Sequence, residues 1–389
     1  MVRAVSLDDD ASRELAELAA AHRLRVPRIV DGRQGTAITL DGVPVVNLAS
    51  NDYLGLAGDP RLTEATRSAL ENDGLGAGAS RLVVGNHREH VQLEAALAAW
   101  LQRPAVRLFN TGYAANVGVL TSLARAGDVV LSDELNHASI IDGCRLSRAT
   151  IRVFAHADLG ALERELRGAA SARRRIVVSE TLFSMDGDLA DVEGLTRLCR
   201  AHDAALVVDE AHAVGVLGPE GRGLCAALGV VPDVLIGTLG KALGTFGAFA
   251  AASRSVVDLL WNRARTLVFS TGLPPVVAAA SRAALEIVRS SEGDERRRQL
   301  ARKARGFREA VANAGGAAES AIVPLVIGDD REVMAVTDRL LAERVFVQGI
   351  RPPTVPEGTA RLRIGLSAAH TEDQLRQAVE ALRNAVRQR

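Results

Sequence analysis

The chain has 389 residues, 48% hydrophobic and 24% charged, with 47 basic and 47 acidic side chains. That length exceeds one core and predicts two unequal domains of a folded chain, not a disordered one. A net formal charge of zero supplies no phosphate-neutralising field, so no nucleic-acid partner is expected.

Cys144, Cys199 and Cys225 are widely spaced. They form neither a disulfide framework nor a zinc knuckle, which predicts a reducing, cytoplasmic setting. The start is polar, with Asp8-Asp-Asp10, and does not read as a signal peptide. No stretch has the apolar length of a bilayer, so no membrane partner is expected.

Leu7 to Arg25 reads as an amphipathic helix, acidic at its start and basic at its end, stopped by Pro27. Thr36 to Asn47 reads as a hairpin around Asp41-Gly42, and Arg61 to Asn72 as a helix. The run Gly74-Leu-Gly-Ala-Gly-Ala-Ser80 spells a dinucleotide pattern. It follows a helix where the fingerprint demands a strand, so a phosphate loop is not expected there.

From Asn86 onward helices and strands alternate. A helix runs to about Leu101 and a strand covers Val106 to Phe109. Another helix opens at Thr111, where free backbone N–H groups suit a phosphate. Apolar strands recur at Val129–Ser132, Ile151–Ala155, Ile176–Ser179, Leu206–Asp209 and Val234–Gly237. Continuous apolar strands between helices predict a mostly parallel sheet covered on both faces, with ligands at the strands' carboxyl ends. After Pro274-Pro275 come a long basic helical region, strands at Ile322–Ile327 and Arg361–Leu366, and further helices. These make a smaller α/β unit.

Chemistry concentrates behind the strand ends. Lys241 is the only charge between Asp233 and Arg254, set among glycines and apolar residues. Such surroundings lower a lysine's pKa and suit it to Schiff-base formation. Glycines at 240, 244 and 247 would let a flat cofactor approach the backbone.

Leu206-Val-Val-Asp-Glu-Ala-His212 spells the DEAH box of nucleotide-driven proteins. No G-x-x-x-x-G-K-[ST] loop precedes it, which leaves that reading remote. Asp209 instead suits a protonated heteroaromatic nitrogen. His137, in a loop, suits stacking on a ring. His87, His90 and Glu94 have a metal-like spacing that one polar helix face explains equally well, and no metal is expected.

Five segments together resemble the α-oxoamine synthases, pyridoxal phosphate (PLP) enzymes of the aspartate aminotransferase fold, fold type I. They are Ser50-Asn-Asp-Tyr-Leu-Gly55, Asp133 to Ser139, Phe183-Ser-Met-Asp-Gly-Asp188, Val208-Asp-Glu-Ala-His-Ala-Val-Gly215 and Thr238-Leu-Gly-Lys241. The resemblance implies that Lys241 carries the cofactor, Asp209 pairs with its ring nitrogen and His137 stacks on the ring. It implies that Ser184 and His212 contact the oxygen side, and that Gly112, Tyr113 and Thr238 hold the phosphate. Ser270 and Thr271 would reach the partner subunit's phosphate in a homodimer with shared sites.

The chain is therefore expected to divide into an N-terminal helix and hairpin segment (1–46), a large cofactor-binding domain (47–275) and a small C-terminal α/β domain (276–389). Gly349-Ile-Arg-Pro-Pro-Thr-Val-Pro356 most resembles members serving biotin biosynthesis. These join L-alanine to a pimeloyl thioester, giving 8-amino-7-oxononanoate, CO2 and the free thiol. Arg351 and Thr354 would face the substrates, with Arg23 at the entrance. Glycine C-acetyltransferase and other sibling acyltransferase activities stay open.

Overall fold

A computed structural model describes residues 6–387. The first five residues of the expected N-terminal segment and the last two of the C-terminal one lie outside the described residues. The first helix, Leu7–Ala20, is capped by the Ser6 hydroxyl and carries Asp8, Asp9 and Asp10 in its first turn. It ends earlier than its sequence suggests, and its last turn holds no basic residue. His22 turns the chain at φ 57°, and the Arg23 and Leu24 amides bond back to the Leu18 carbonyl. Arg23 and Arg25 therefore leave the helix and reach other parts of the chain.

The central sheet has seven strands. Their spatial order is Ala105–Phe109, Ala248–Ala252, Val234–Thr238, Ala205–Asp209, Arg175–Glu180, Val129–Asp133, Thr150–Phe154. Ala248–Ala252 pairs antiparallel with both neighbours, and the remaining pairs are parallel. Alternate residues feed two cores, as the period of a strand dictates. Val130, Val178, Val207 and Ile236 pack with Ala115, Val119 and Ile140 from the helices Gly112–Leu123 and Ala138–Ser147. Leu131, Val177, Leu206 and Leu235 face the opposite core, with Leu162, Leu166 and Leu195 from the helices Leu159–Gly168 and Val192–Ala201. With both faces covered, Val129–Asp133, Val234–Thr238 and Ala248–Ala252 are buried at every position. This is a mostly parallel α/β sheet of the expected class.

Two smaller sheets complete the molecule. Ile322–Gly328, Ala360–Gly365 and Gln348–Ile350 form an antiparallel sheet. The hairpin strands Ala37–Leu40 and Val43–Asn47 pair antiparallel, and Val43–Asn47 also runs parallel to Val345–Phe346 near the other end of the sequence. The run from Gly74 to Gly85 has almost no regular structure and follows the helix Pro60–Asp73. Ser80 Oγ donates to the Val268 carbonyl and the Gly272 amide bonds the Ala79 carbonyl, which stitches this run to residues 268–272.

Candidate active site

Polar groups collect at the carboxyl ends of the central strands. Asp209 ends one strand and sits opposite Glu180, which ends the next. Lys241 follows a third, on a turn closed by the Gly244 amide to the Lys241 carbonyl at 2.8 Å and the Thr245 amide to the Leu239 carbonyl at 2.9 Å. The glycines here serve the turn more than a ligand. Gly244 adopts φ +67°, and a Cβ on it would lie 2.5 Å from the Ala57 amide nitrogen. Gly247 sits at φ +113°.

Burial lowers the Lys241 amine to about 8, with Asp209 and Glu180 resisting that shift and Arg363 adding to it. At pH 7 about a tenth of the population is then free amine, against almost none for an ordinary lysine. Lys241 Nζ lies 2.8 Å from His212 Nε2, and His212 Nδ1 lies 2.6 Å from the Tyr53 hydroxyl. Burial and then the Lys241 charge push the His212 imidazolium far down, so His212 is a neutral ring between two partners. Arg363 extends the chain of contacts, donating to the Tyr53 hydroxyl at 3.3 Å and to the Ser184 carbonyl at 2.6 Å.

Asp209 is held from two sides. Asn116 Nδ2 donates to it at 2.7 Å and to Ser139 Oγ at 2.9 Å, and the Ala211 amide donates at 2.8 Å. Glu180 is fully buried. Burial first, and the nearby Asp209 charge second, raise its carboxyl to about 8, so it stays neutral beside Asp209 at pH 7. Asn136 fixes the surrounding backbone by accepting from the Glu180 amide and donating to the Val178 carbonyl.

The other expected site residues are placed as follows. Thr111 caps the helix Gly112–Leu123, its hydroxyl accepting from the Ala114 amide. Among the described residues the Gly112 and Tyr113 amides find no acceptor, and a Cβ on Gly112 would meet nothing within 4 Å. The exposed Tyr113 side chain donates to Asp142. The Thr238 hydroxyl donates to the Gly247 carbonyl and accepts from the Gly240 amide, so it is engaged inside the chain.

His137 caps the helix Ala138–Ser147 and shares a 2.7 Å hydrogen bond with Ser139. It lines a cleft of about 540 Å³ together with Ser184, Phe183, Ile141, Pro353 and Val355. Thr354 lines the same cleft. Arg351 is not free to meet a ligand squarely: its guanidinium donates to the His22 and Leu24 carbonyls. Arg23 is paired with Asp330 at 2.8 Å and Glu357 at 2.5 Å. Thr271 is exposed and Ser270 half-buried, and Asn110 Nδ2 donates to the Thr271 carbonyl.

Four members of the cluster had no expected role: Tyr53, Asn116, Glu180 and Arg363. A lone amide within the small, apolar helix Gly112–Leu123 was a readable signal for Asn116. So was the alternation Arg361-Leu-Arg363, which puts two guanidiniums on one face of a strand. The residues present fit PLP. Two unpartnered amides at a helix N-terminus suit a phosphate, an oriented carboxylate suits a ring nitrogen, and a buried amine suits a carbonyl.

The family model for aminotransferase class I and II matches residues 43–382. The 8-amino-7-oxononanoate synthase of Geobacter sulfurreducens is 50% identical over 95% of this chain and 96% of its own length. That of Methylococcus capsulatus is 49% identical over 97% and 99%. Among solved structures, a serine palmitoyltransferase variant from S. paucimobilis with a bound PLP-myriocin aldimine superposes with a TM-score of 0.92, at 29% identity over 99% of each chain. An 8-amino-7-oxononanoate synthase from Francisella tularensis gives 0.77 at 26% identity, over 88% of this chain and 98% of that one.

Proposed function

The chain belongs to the aminotransferase class I and II family, and from that premise we propose that it is a PLP-dependent acyltransferase joining L-alanine to a pimeloyl thioester. The products are 8-amino-7-oxononanoate, CO2 and the free thiol, a step of biotin biosynthesis. The observation that carries the chemistry is Lys241, a buried amine near pKa 8 that feels the Asp209 charge and contacts His212. The product rests on relatives near 50% identity named 8-amino-7-oxononanoate synthase, and the alanine and pimeloyl halves follow from the resemblance.

When bound, the cofactor supplies a sink for the electrons left at the amino acid's Cα. The chain's residues do the rest. The Gly112 and Tyr113 amides would hold the phosphate, with Thr238 beside them. Asp209, held by Asn116 and the Ala211 amide, would pair with the ring nitrogen and favour its protonated form. Lys241 takes a proton from Cα and returns it. His212 steers the Lys241 amine through their 2.8 Å contact and meets the cofactor's oxygen side with Ser184. His137, which lines the cleft, would lie against the ring.

Arg363, not Arg351, is the better seat for the amino acid's carboxylate. It lies close enough to Lys241 to lower its pKa, whereas Arg351 is spent on backbone carbonyls. With Glu180 held neutral by burial, Asp209 would be the carboxylate that pairs with the cofactor's ring nitrogen.

Leu75, Leu82, Val83, Val84 and Phe269 are largely exposed. The stitching of residues 74–85 to 268–272 supports an apolar face that a second copy covers, bringing Ser270 and Thr271 to the neighbouring site. The three cysteines are free and buried, and no described helix is long and apolar enough to cross a membrane. The free, buried cysteines support action in the cytoplasm.

The test is a matrix of kcat/KM values for alanine, glycine and serine against pimeloyl-, acetyl- and palmitoyl-CoA. Alanine with pimeloyl-CoA is expected to lead. Glycine and serine should follow within about 10- to 200-fold, because one methyl of space is worth little. Glycine with acetyl-CoA as the best pair would move the protein to the glycine C-acetyltransferase activity.

A further inference from the structure

A half-buried histidine packed against Phe183 has no part in the roles above. His156 Nδ1 lies 3.0 Å from an Asp133 oxygen, and its Nε2 lies 2.7 Å from an Asp188 oxygen. A neutral imidazole has one N–H and one bare nitrogen, so it donates to one carboxylate only. Its other contact would set a lone pair against an oxygen. Both contacts are hydrogen bonds only when the ring is an imidazolium. Burial works against that cation, but the hydrogen bonds to Asp133 and then Asp188 outweigh it, so the ring keeps its proton above the ordinary range.

The two carboxylates differ. Asp133 is buried at the end of its strand and also accepts from the Leu135 and Ala157 amides at 2.9 and 3.0 Å. It is a fixed anchor. Among the described residues the Asp188 carboxylate has His156 as its one partner, and its other oxygen is buried with none. The His156 and Phe183 rings meet edge to face, with centroids 4.4 Å apart at 87°. Of the other charged groups on these segments, Glu134 accepts from the His156 amide, Asp158 caps the helix Leu159–Gly168, and Asp186 pairs with Arg361.

The stretch after Asp133 carries His137, and the stretch before Asp188 carries Phe183 and Ser184. Both stretches line the cleft, while His156 itself lies outside the lining. The turn 183–188 is closed by the Phe183 amide to the Asp188 carbonyl and the Gly187 amide to the Phe183 carbonyl. A hold on Asp188 is therefore a hold on Ser184.

We propose that His156, as an imidazolium bridging Asp133 and Asp188, is a positioning residue that fixes the Ser184 turn against the His137 stretch. The proposal rests on the reading of this cleft as the site of acyl transfer. When the ring loses its proton it keeps one carboxylate and releases the other. Asp188, with no second partner, is the one set free, and the turn loosens. Catalysis then weakens on the alkaline side of the His156 titration.

The experiment compares wild type, His156→Gln and Asp188→Asn, the last leaving His156 and Asp133 in place should the first fold poorly. In cofactor-free, histidine-labelled protein at pH 7, proton–nitrogen spectra should show both His156 ring nitrogens protonated. The signal is identified by its loss in His156→Gln or its displacement in Asp188→Asn. Amide exchange at Phe183 and Gly187 should quicken in both variants, while that of Ala248–Ala252 should not. In the loaded enzyme each variant should lose about 10-fold in kcat/KM at pH 7. The ratio of wild type to variant cancels the titration of Lys241 and every other shared group. It should fall towards one as pH rises past the His156 titration.

A single protonated nitrogen on His156 at pH 7 would overturn the proposal. So would a ratio that stays flat with pH, which marks a merely structural loss, or exchange at 183 and 187 that the variants leave unchanged. A wild type that binds PLP but condenses no thioester would sink the proposed reaction alone, and the spectra and exchange would still decide the bridge.

Discussion

The strongest physical claim about the site is that an unoccupied Lys241 costs the fold stability, and Lys241→Met tests it in the cofactor-free protein. The amine titrates at about 8 in the fold and 10.5 as an ordinary lysine. At pH 7 both states are protonated, and the fold bears the whole difference, about 3 kcal/mol. Methionine has a similar volume and no charge. It leaves His212 Nε2 without the partner that Lys241 gave it at 2.8 Å, which returns about 1 kcal/mol.

Lys241→Met should therefore be more stable than wild type by about 2 kcal/mol at pH 7. The sign follows from the direction of the shift. A depressed lysine destabilises fully below about 8, and the penalty drains away as pH rises towards 10.5, because the unfolded chain holds the proton longer. The advantage of methionine should shrink across that window and reverse at its top. Urea midpoints of both proteins, freed of PLP, at pH 7, 8.5 and 10 give the curve. A variant no more stable at pH 7, or one whose advantage grows with pH, would refute the burial argument.

Arg363→Lys should raise the KM for L-alanine and lower kcat/KM roughly 10- to 100-fold, since a point charge replaces a fork. Initial rates at varied alanine decide this, and an unchanged KM would return the carboxylate to Arg351. Mixing inactive Lys241→Ala with an inactive Thr271→Ala protein, then dissociating and reassembling them, should restore a fraction of sites. Mixed dimers without activity would show each subunit to be self-contained.

The sheet was legible because its strands are apolar throughout, and that pattern survives burial on both faces. Lys241 was legible because a lone charge in an apolar run is desolvated, and a desolvated amine is what Schiff-base chemistry requires. What escaped depends on partners distant in the chain. Nothing near Arg351 announces that its guanidinium will cap carbonyls at residues 22 and 24, 329 and 327 positions away. Helical periodicity continues through Arg25, yet the helix stops at Ala20, because His22 turns the chain and Asp330 and Glu357 draw Arg23 away. The glycines after Lys241 looked like room for a ligand, whereas Gly244 makes room for the backbone at Leu56 and Ala57. Glu180 reads as an ordinary acidic residue until its strand neighbour proves to be Asp209.

The pairing of Val43–Asn47 with Val345–Phe346 bears on how the protein is made. A ribosome releases the early hairpin long before its parallel partner exists, so that hairpin must wait beside an unfinished edge for some three hundred residues. Closing so long a loop costs little more entropy than closing one half as long, but the open edge stays exposed throughout synthesis. A chain cut short before residue 345 would keep every strand of the central sheet and still leave one edge of its early hairpin open. Early-terminated products should then be prone to associate through that hairpin.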